Sequence, residues 1–174
     1  MEPDIIKNQF IQLYNDESDS IFRFCLLRTS DREVAADIVQ DTFMSFWDTL
    51  SHGEQKIQNE RAFLFTIARN RIIDWYRKKK SLSLDSIIEG PGVEAETFML
   101  TSPERREDIE MVHEGKFLLE KIQKLDPPYQ QAVYLRYVED LKPKEIAEIV
   151  REPANVVSVR IFRGLQQLKK LAKI

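Results

Sequence analysis

Between Arg61 and Lys80 the chain reads RAFLFTIARNRIIDWYRKKK, with seven basic residues (Arg61, Arg69, Arg71, Arg77, Lys78, Lys79 and Lys80) against one acid, Asp74. Cations at this density neutralise phosphates, and aromatic rings set among them stack on exposed bases. The chemistry on offer is nucleic-acid binding, and charge mixed with rings points to single-stranded or opened DNA more than to intact duplex. Phe63, Ile67, Ile72, Trp75 and Tyr76 recur at broadly three- and four-residue intervals, which predicts a helix with one buried face. The same pattern also fits an ordinary amphipathic core helix whose basic end is only solvated.

No nucleophile–base pair, phosphate-binding loop or paired-carboxylate site stands elsewhere in the chain, so no enzymatic activity is expected. The single cysteine, Cys25, excludes an intramolecular disulfide and lies in the apolar run IFRFCLL, where a small buried hydrophobe is its expected role. One cysteine and two separated histidines, His52 and His113, cannot assemble a metal site from the usual nitrogen and sulfur ligands, and no cofactor is expected. The net charge of −3 conceals a strong segregation. Residues 1–60 carry 5 basic and 12 acidic groups, residues 81–110 carry 2 and 8, and residues 141–174 carry 8 and 3. Two basic islands parted by an acidic connector fit a protein that touches nucleic acid at two places.

The elements that must position these groups read as helices throughout. Glycine is scarce, no segment alternates like a strand, and Leu, Ile, Glu, Lys, Arg and Gln dominate, so an all-α fold is expected. Four helices fall in the first half: about Asp4–Tyr14, about Ser18–Leu27, one capped by Ser30 and running to Leu50, and the basic helix from near Asn59. Ala35, Val39, Phe43, Phe46 and Leu50 make the apolar stripe of the third, and His52-Gly53 ends it. Residues 81–101 lose helical periodicity, and Gly90-Pro91-Gly92 with its acidic surroundings predicts a flexible linker. The chain restarts at Ser102-Pro103-Glu104. Further helices open at Asp126-Pro127-Pro128, at Lys142-Pro143 and at Glu152-Pro153, the last with Val157, Ile161, Leu165, Leu168 and Ala172 facing inward. A short helix, a tight turn and a longer basic helix form a helix-turn-helix, although an ordinary helical hairpin has the same outline. Two small domains, 1–80 and 102–174, joined by the 81–101 linker, are therefore expected. Apolar runs fall far short of a bilayer span and the acidic N-terminus lacks a signal-peptide pattern, so a cytoplasmic protein without membrane insertion is expected.

Three segments in fixed order carry a resemblance. DREVAADIVQDTFMSFW, RAFLFTIARNRIIDWYRKKK, and LDPPYQQAVYLRYVEDLKPKEIAEIV with the final helix resemble bacterial RNA polymerase sigma factors of the extracytoplasmic-function class. The likeness covers nearly the whole chain. It implies a non-catalytic promoter-specificity subunit whose first domain binds core RNA polymerase and opens the −10 promoter element, while the second reads the −35 element as duplex DNA. It also leaves room for an inhibitory anti-sigma partner.

On that resemblance, Asp37, Gln40, Asp41, Phe43, Phe46 and Trp47 match the segment that docks on the clamp helices of the polymerase β′ subunit. The residues agree by themselves, since Asp37, Gln40, Asp41 and Asp48 form an acidic stripe suited to a basic partner, or simply a solvated face. Asn70 and Asp74 match positions contacting −10 bases, with Trp75, Arg77 and Lys78 beside them. Asp74 could equally pair with Arg71, Arg77 or Lys78 on its own helix. Lys56 is the only cation of the loop 51–58, which matches the family loop that holds a flipped-out base. In the last helix Pro153, Asn155, Ser158, Val159, Arg160, Phe162 and Arg163 match the −35-contacting surface. Arg151 stands where the family often has glycine, which implies a left-handed turn residue or a different turn. Glu152 replaces an apolar residue, and Ser158-Val159 removes a donor-rich pair, so an unusual −35 sequence is implied. The alternative is a freestanding helix-turn-helix regulator, which would bind duplex operator without polymerase and would not need the acidic third helix or the basic-aromatic fourth.

Overall fold

The computed structural model describes residues 3–53, 56–83 and 113–173, and every regular element among them is an α-helix. The chain divides into two compact units, Met1–Lys78 and Lys79–Ile174.

The first unit opens on α1 (Pro3–Thr29), one continuous helix where two were expected. The stretch Asn15-Asp16-Glu17-Ser18 contains no glycine or proline, and its side chains lie exposed or half-exposed, so nothing there costs enough to stop the helix. Helix α2 (Arg32–His52) is capped by Asp31 rather than Ser30: its Oδ1 accepts from the backbone N–H groups of Glu33 at 3.0 Å and Val34 at 3.1 Å. Ser30 instead takes the positive φ of 54° at the corner between the two helices. Gly53, at φ 62°, ends α2 in the left-handed region where glycine carries no steric penalty. Helix α3 (Glu60–Ser83) starts where Asn59 Oδ1 accepts from Ala62 N at 2.9 Å. It continues three residues into the stretch expected to be linker, because Ser81-Leu82-Ser83 offers no breaker. The rest of that linker, and the restart at Ser102, lie outside the described residues.

The core of this unit joins Ile21, Phe24 and Cys25 of α1 to Ala35, Phe43 and Phe46 of α2 and Leu64, Phe65, Ala68 and Ile72 of α3. Phe24 and Phe65 meet edge-on at 5.4 Å between centroids. The buried stripe of α3 is not the one the bulky residues predict. Ala62 and Ala68 turn inward beside Phe65, whereas Phe63, Ile67, Trp75 and Tyr76 are only half-buried. Arg61 is tied to Glu17 at 2.8 Å, and Tyr76 donates its hydroxyl to the Arg28 carbonyl, each anchoring α3 to α1. Burial pushes the Cys25 thiol up to about 12, so it stays protonated and behaves as the small hydrophobe its surroundings suggest.

The second unit holds α4 (His113–Gln123), α5 (Pro127–Tyr137), α6 (Pro143–Val150) and α7 (Ala154–Ala172). Proline stands in the first turn of both α5 and α6, where its missing N–H removes no helical bond. Glu145 Oε2 reaches back to accept from Lys142 N at 2.6 Å and fixes the start of α6. Leu119, Ile122, Val133, Leu135, Leu141, Ile146, Ile149, Val157 and Ile161 fill the core. Helix α7 meets α5 through Gly164, which is buried; Leu165, Leu168 and Ala172, expected to face inward, are only half-buried.

Candidate nucleic-acid interface

Helix α2 presents two faces of different chemistry. Asp37, Gln40, Asp41 and Asp48 are exposed, and between them lie Met44, 58% exposed, and Trp47, 37% exposed. Phe46 is buried and does not line this surface, so it braces the face from behind rather than standing on it. Phe43 is also buried, but its ring lines the groove beside the face. Phe10 of α1 stacks on Phe46 at 6.3 Å and meets Trp47 edge-on at 5.1 Å, while Tyr14 meets Phe43 at 4.8 Å. The rings of Phe10, Tyr14, Phe43 and Trp47 wall a groove of about 720 Å³ between α1 and α2, bordered by Phe22, Gln40, Met44 and Asp48. Met44 escaped the sequence reading, although it lies one turn after both Gln40 and Asp41.

The basic helix divides its cations by role. Arg69 is buried, and Arg61 is held by Glu17 and lies over the Phe65 ring at 5.5 Å. Arg71, Arg77, Lys78 and Lys79 are exposed and Lys80 half-exposed, which leaves the outer end of α3 strongly positive. Asp74 is exposed, with Asn70 half-buried one turn before it. Arg71, one candidate partner of Asp74, donates instead to Ser45 Oγ at 3.0 Å and links α3 to α2. Trp75 is half-buried against Tyr76, their centroids 4.7 Å apart, so part of its ring faces outward. Lys56 is exposed; residues 54 and 55 of its loop lie outside the described part.

In the second unit α6 and α7 form a helix-turn-helix. Arg151 takes the left-handed conformation, φ 56° and ψ 42°, at the turn, and both its N–H and that of Glu152 reach the Ala147 carbonyl. Glu152, whose acidity departs from the family pattern, holds Arg160 in an ion pair at 3.2 Å. Pro153, Asn155, Ser158, Val159, Phe162 and Arg163 are exposed, while Arg160 is half-buried. Ser158 spends its hydroxyl proton on the Ala154 carbonyl at 3.0 Å. Asn155, Val159 and Arg163 also border a cleft of about 460 Å³ with Asp126 and Tyr129 at the start of α5, which the sequence did not reveal.

The model for Sigma-70 region 2 matches residues 13–82, and that for Sigma-70 region 4 matches residues 118–168. The ECF RNA polymerase sigma factor SigM of Bacillus subtilis is 31% identical over 163 residues, which cover 92% of this chain and 93% of SigM. The chain belongs to the ECF RNA polymerase sigma factors. The RNA polymerase sigma factor YlaC of the same organism is 29% identical over 169 residues, covering 96% of this chain and 91% of YlaC. Among solved structures, the sigma factor RpoE of Bartonella quintana, crystallised with the anti-sigma factor NepR, shares the fold at a TM-score of 0.71 and 22% identity, covering 95% of this chain and 98% of its own. CnrH, solved with the cytosolic domain of CnrY, shares it at 0.63 and 20% identity, with 96% and 89% covered. This sigma factor is thus a promoter-specificity subunit of RNA polymerase, which binds core polymerase and promoter DNA and directs initiation rather than catalysing a reaction. The freestanding-regulator reading is set aside, because region 2 accompanies the helix-turn-helix.

Proposed function

We propose that the two units divide promoter recognition: the first docks on the β′ clamp helices of core polymerase through α2 and reads the opened −10 strand through α3, and the second reads −35 duplex through α7. The observation that carries this division is the chemistry of the exposed faces. That of α2 is acidic around Met44 and Trp47, while the outer end of α3 and the C-terminal half of α7, with Arg163, Lys169 and Lys170 exposed, are basic. An acidic face repels DNA and suits a cationic protein surface; basic faces do the reverse. The sigma factor works in this reading within the cytoplasm, and among the described residues no helix is long and apolar enough to cross a membrane. An inhibitory protein partner belongs to the same proposal, supported by the solved neighbour RpoE, which is bound to the anti-sigma factor NepR, and by the open aromatic groove between α1 and α2.

Transcription from a promoter library with core polymerase, with and without the chain, tests the whole reading. It should return promoters sharing a −10 and a −35 sequence that core polymerase alone does not use; a flat library would overturn it. Within that assay Asn70→Ala should cost about 1–3 kcal/mol of discrimination at a single −10 base. Unchanged base preference with normal core binding removes Asn70 from the site. Arg163→Ala should lower output from −35-dependent promoters. If Arg163 contacts phosphate, the slope of affinity against salt falls by about one unit with preference intact; if it contacts guanine, preference at one position relaxes. Wild-type output at unchanged salt dependence would leave Arg163 a solvated side chain.

A further inference from the structure

The outward stripe of α7 runs through Asn155, Ser158, Val159, Phe162, Arg163 and Gln166, all exposed and spaced by three or four residues. Its centre is apolar: Val159 is 47% and Phe162 62% exposed, one turn apart. The polar groups nearest that centre are already engaged. Ser158 gives its proton to the Ala154 carbonyl at 3.0 Å, and Arg160 is half-buried in its ion pair with Glu152 at 3.2 Å. Hydrogen-bond donors that can reach outward along the stripe therefore sit at its flanks, Asn155 before the apolar pair and Arg163 after it. Lys169 and Lys170, exposed farther along, continue the positive charge.

A large apolar pair held in water between cationic and amide side chains fits a polyanion that also offers an apolar feature. The floor of the DNA major groove offers one such group, the C5-methyl of thymine. We infer that Val159 and Phe162 form a methyl-reading centre on α7, selecting thymine in the −35 element by contact with its C5-methyl while Asn155 and Arg163 engage the groups on either side. The inference rests on the reading that α7 lies in the −35 major groove, and it adds the chemistry by which that helix discriminates. It also accounts for Ser158-Val159 at a position where a donor pair would have read base edges by hydrogen bonding.

The test uses holoenzyme assembled from the full chain and core polymerase, on a promoter chosen from the library. Each thymine of the −35 window, on either strand, is replaced singly by deoxyuridine, which removes the methyl and leaves every hydrogen-bonding group in place. At one or two adjacent positions promoter binding should fall by about fourfold, the worth of one buried methyl-sized group. Phe162→Ser and Val159→Ser should bind thymine and deoxyuridine alike at the affected position. Both side chains are exposed, so the variants keep the fold, and unchanged helicity verifies this. Three results overturn the inference: a selected −35 element without thymine, indifference of the wild type to every deoxyuridine, or a deoxyuridine effect that survives in both variants. If scrambling the −35 window still lowers output in those cases, the −35 reading stands and only methyl recognition falls. If scrambling changes nothing, both fall together.

Discussion

Gly164→Leu is expected to destabilise the second unit by about 3 kcal/mol, at the upper end of what overpacking costs. A Cβ built on Gly164 would lie 2.5 Å from Val133 Cγ2, with the Tyr129 Cβ at 3.3 Å and its carbonyl oxygen at 3.4 Å. Val133 cannot swing aside easily. It is buried, and a β-branched side chain on a helix is confined to essentially one rotamer. Gly164→Ala makes the sharper comparison, because two effects oppose each other there. Alanine gains about 1 kcal/mol of helix propensity over glycine, while the clash costs roughly 1–3 kcal/mol, so a smaller net loss is expected. Val133→Ala should open the space that the new methyl needs, so Gly164→Ala and Val133→Ala together should cost less than the sum of the two alone. Urea unfolding followed by helix signal measures all three. A rise in stability for Gly164→Ala would mean that α5 and α7 do not approach this closely. Losing the unit would also remove the α7 face from DNA, so −35-dependent transcription should fall with it while binding to core polymerase through α2 persists.

Gly164 also shows where sequence reading stops. The inward positions Val157 and Ile161 follow from apolar spacing, and so does the helix that carries them. The glycine completing their face has no side chain to register in such a pattern, so Leu165 and Leu168 were expected to do its work. The same blindness to small residues misplaced the buried stripe of α3, where Ala62 and Ala68 outweigh Phe63 and Ile67. Helix starts at proline were legible because proline acts locally: Asp126-Pro127 and Lys142-Pro143 stand where expected. The cap of α2 moved by one residue, since Ser30 and Asp31 both have capping side chains and only backbone geometry decides between them. Charge showed where the exposed faces would lie but not which members would turn inward, and the ion pairs of Arg61 and Arg160 depend on acids 44 and 8 residues away. The left-handed turn at Arg151 was legible as one of two alternatives, and the Ala147 carbonyl that satisfies it was not.

Asp41→Arg should weaken association with core polymerase by about thirtyfold or more at low salt, the scale of a like-charge contact placed against a cationic partner. Asp41 is exposed in the middle of the α2 face, with Gln40 beside it and Met44 one turn on, so the reversal lands where a partner must pass. An exposed group loses no packing on substitution, so helicity and unfolding midpoint should stay those of the wild type. That separates Asp41→Arg from Phe46→Ala, which would also reduce core binding but by emptying a buried site and destabilising the unit by about 3–5 kcal/mol. Two further features follow from an electrostatic cause. Asp41→Asn removes attraction without adding repulsion and should show a smaller loss, and both losses should shrink as salt rises and screening shortens the reach of the charge. Loss that is independent of salt would point instead to a steric clash of the longer arginine with the neighbouring Met44 contact. Equal core affinity for the wild type and Asp41→Arg would exclude charge attraction at Asp41 and leave docking to the adjoining aromatic groove, which Phe10 and Tyr14 line together with Met44 and Trp47 of the same α2 face.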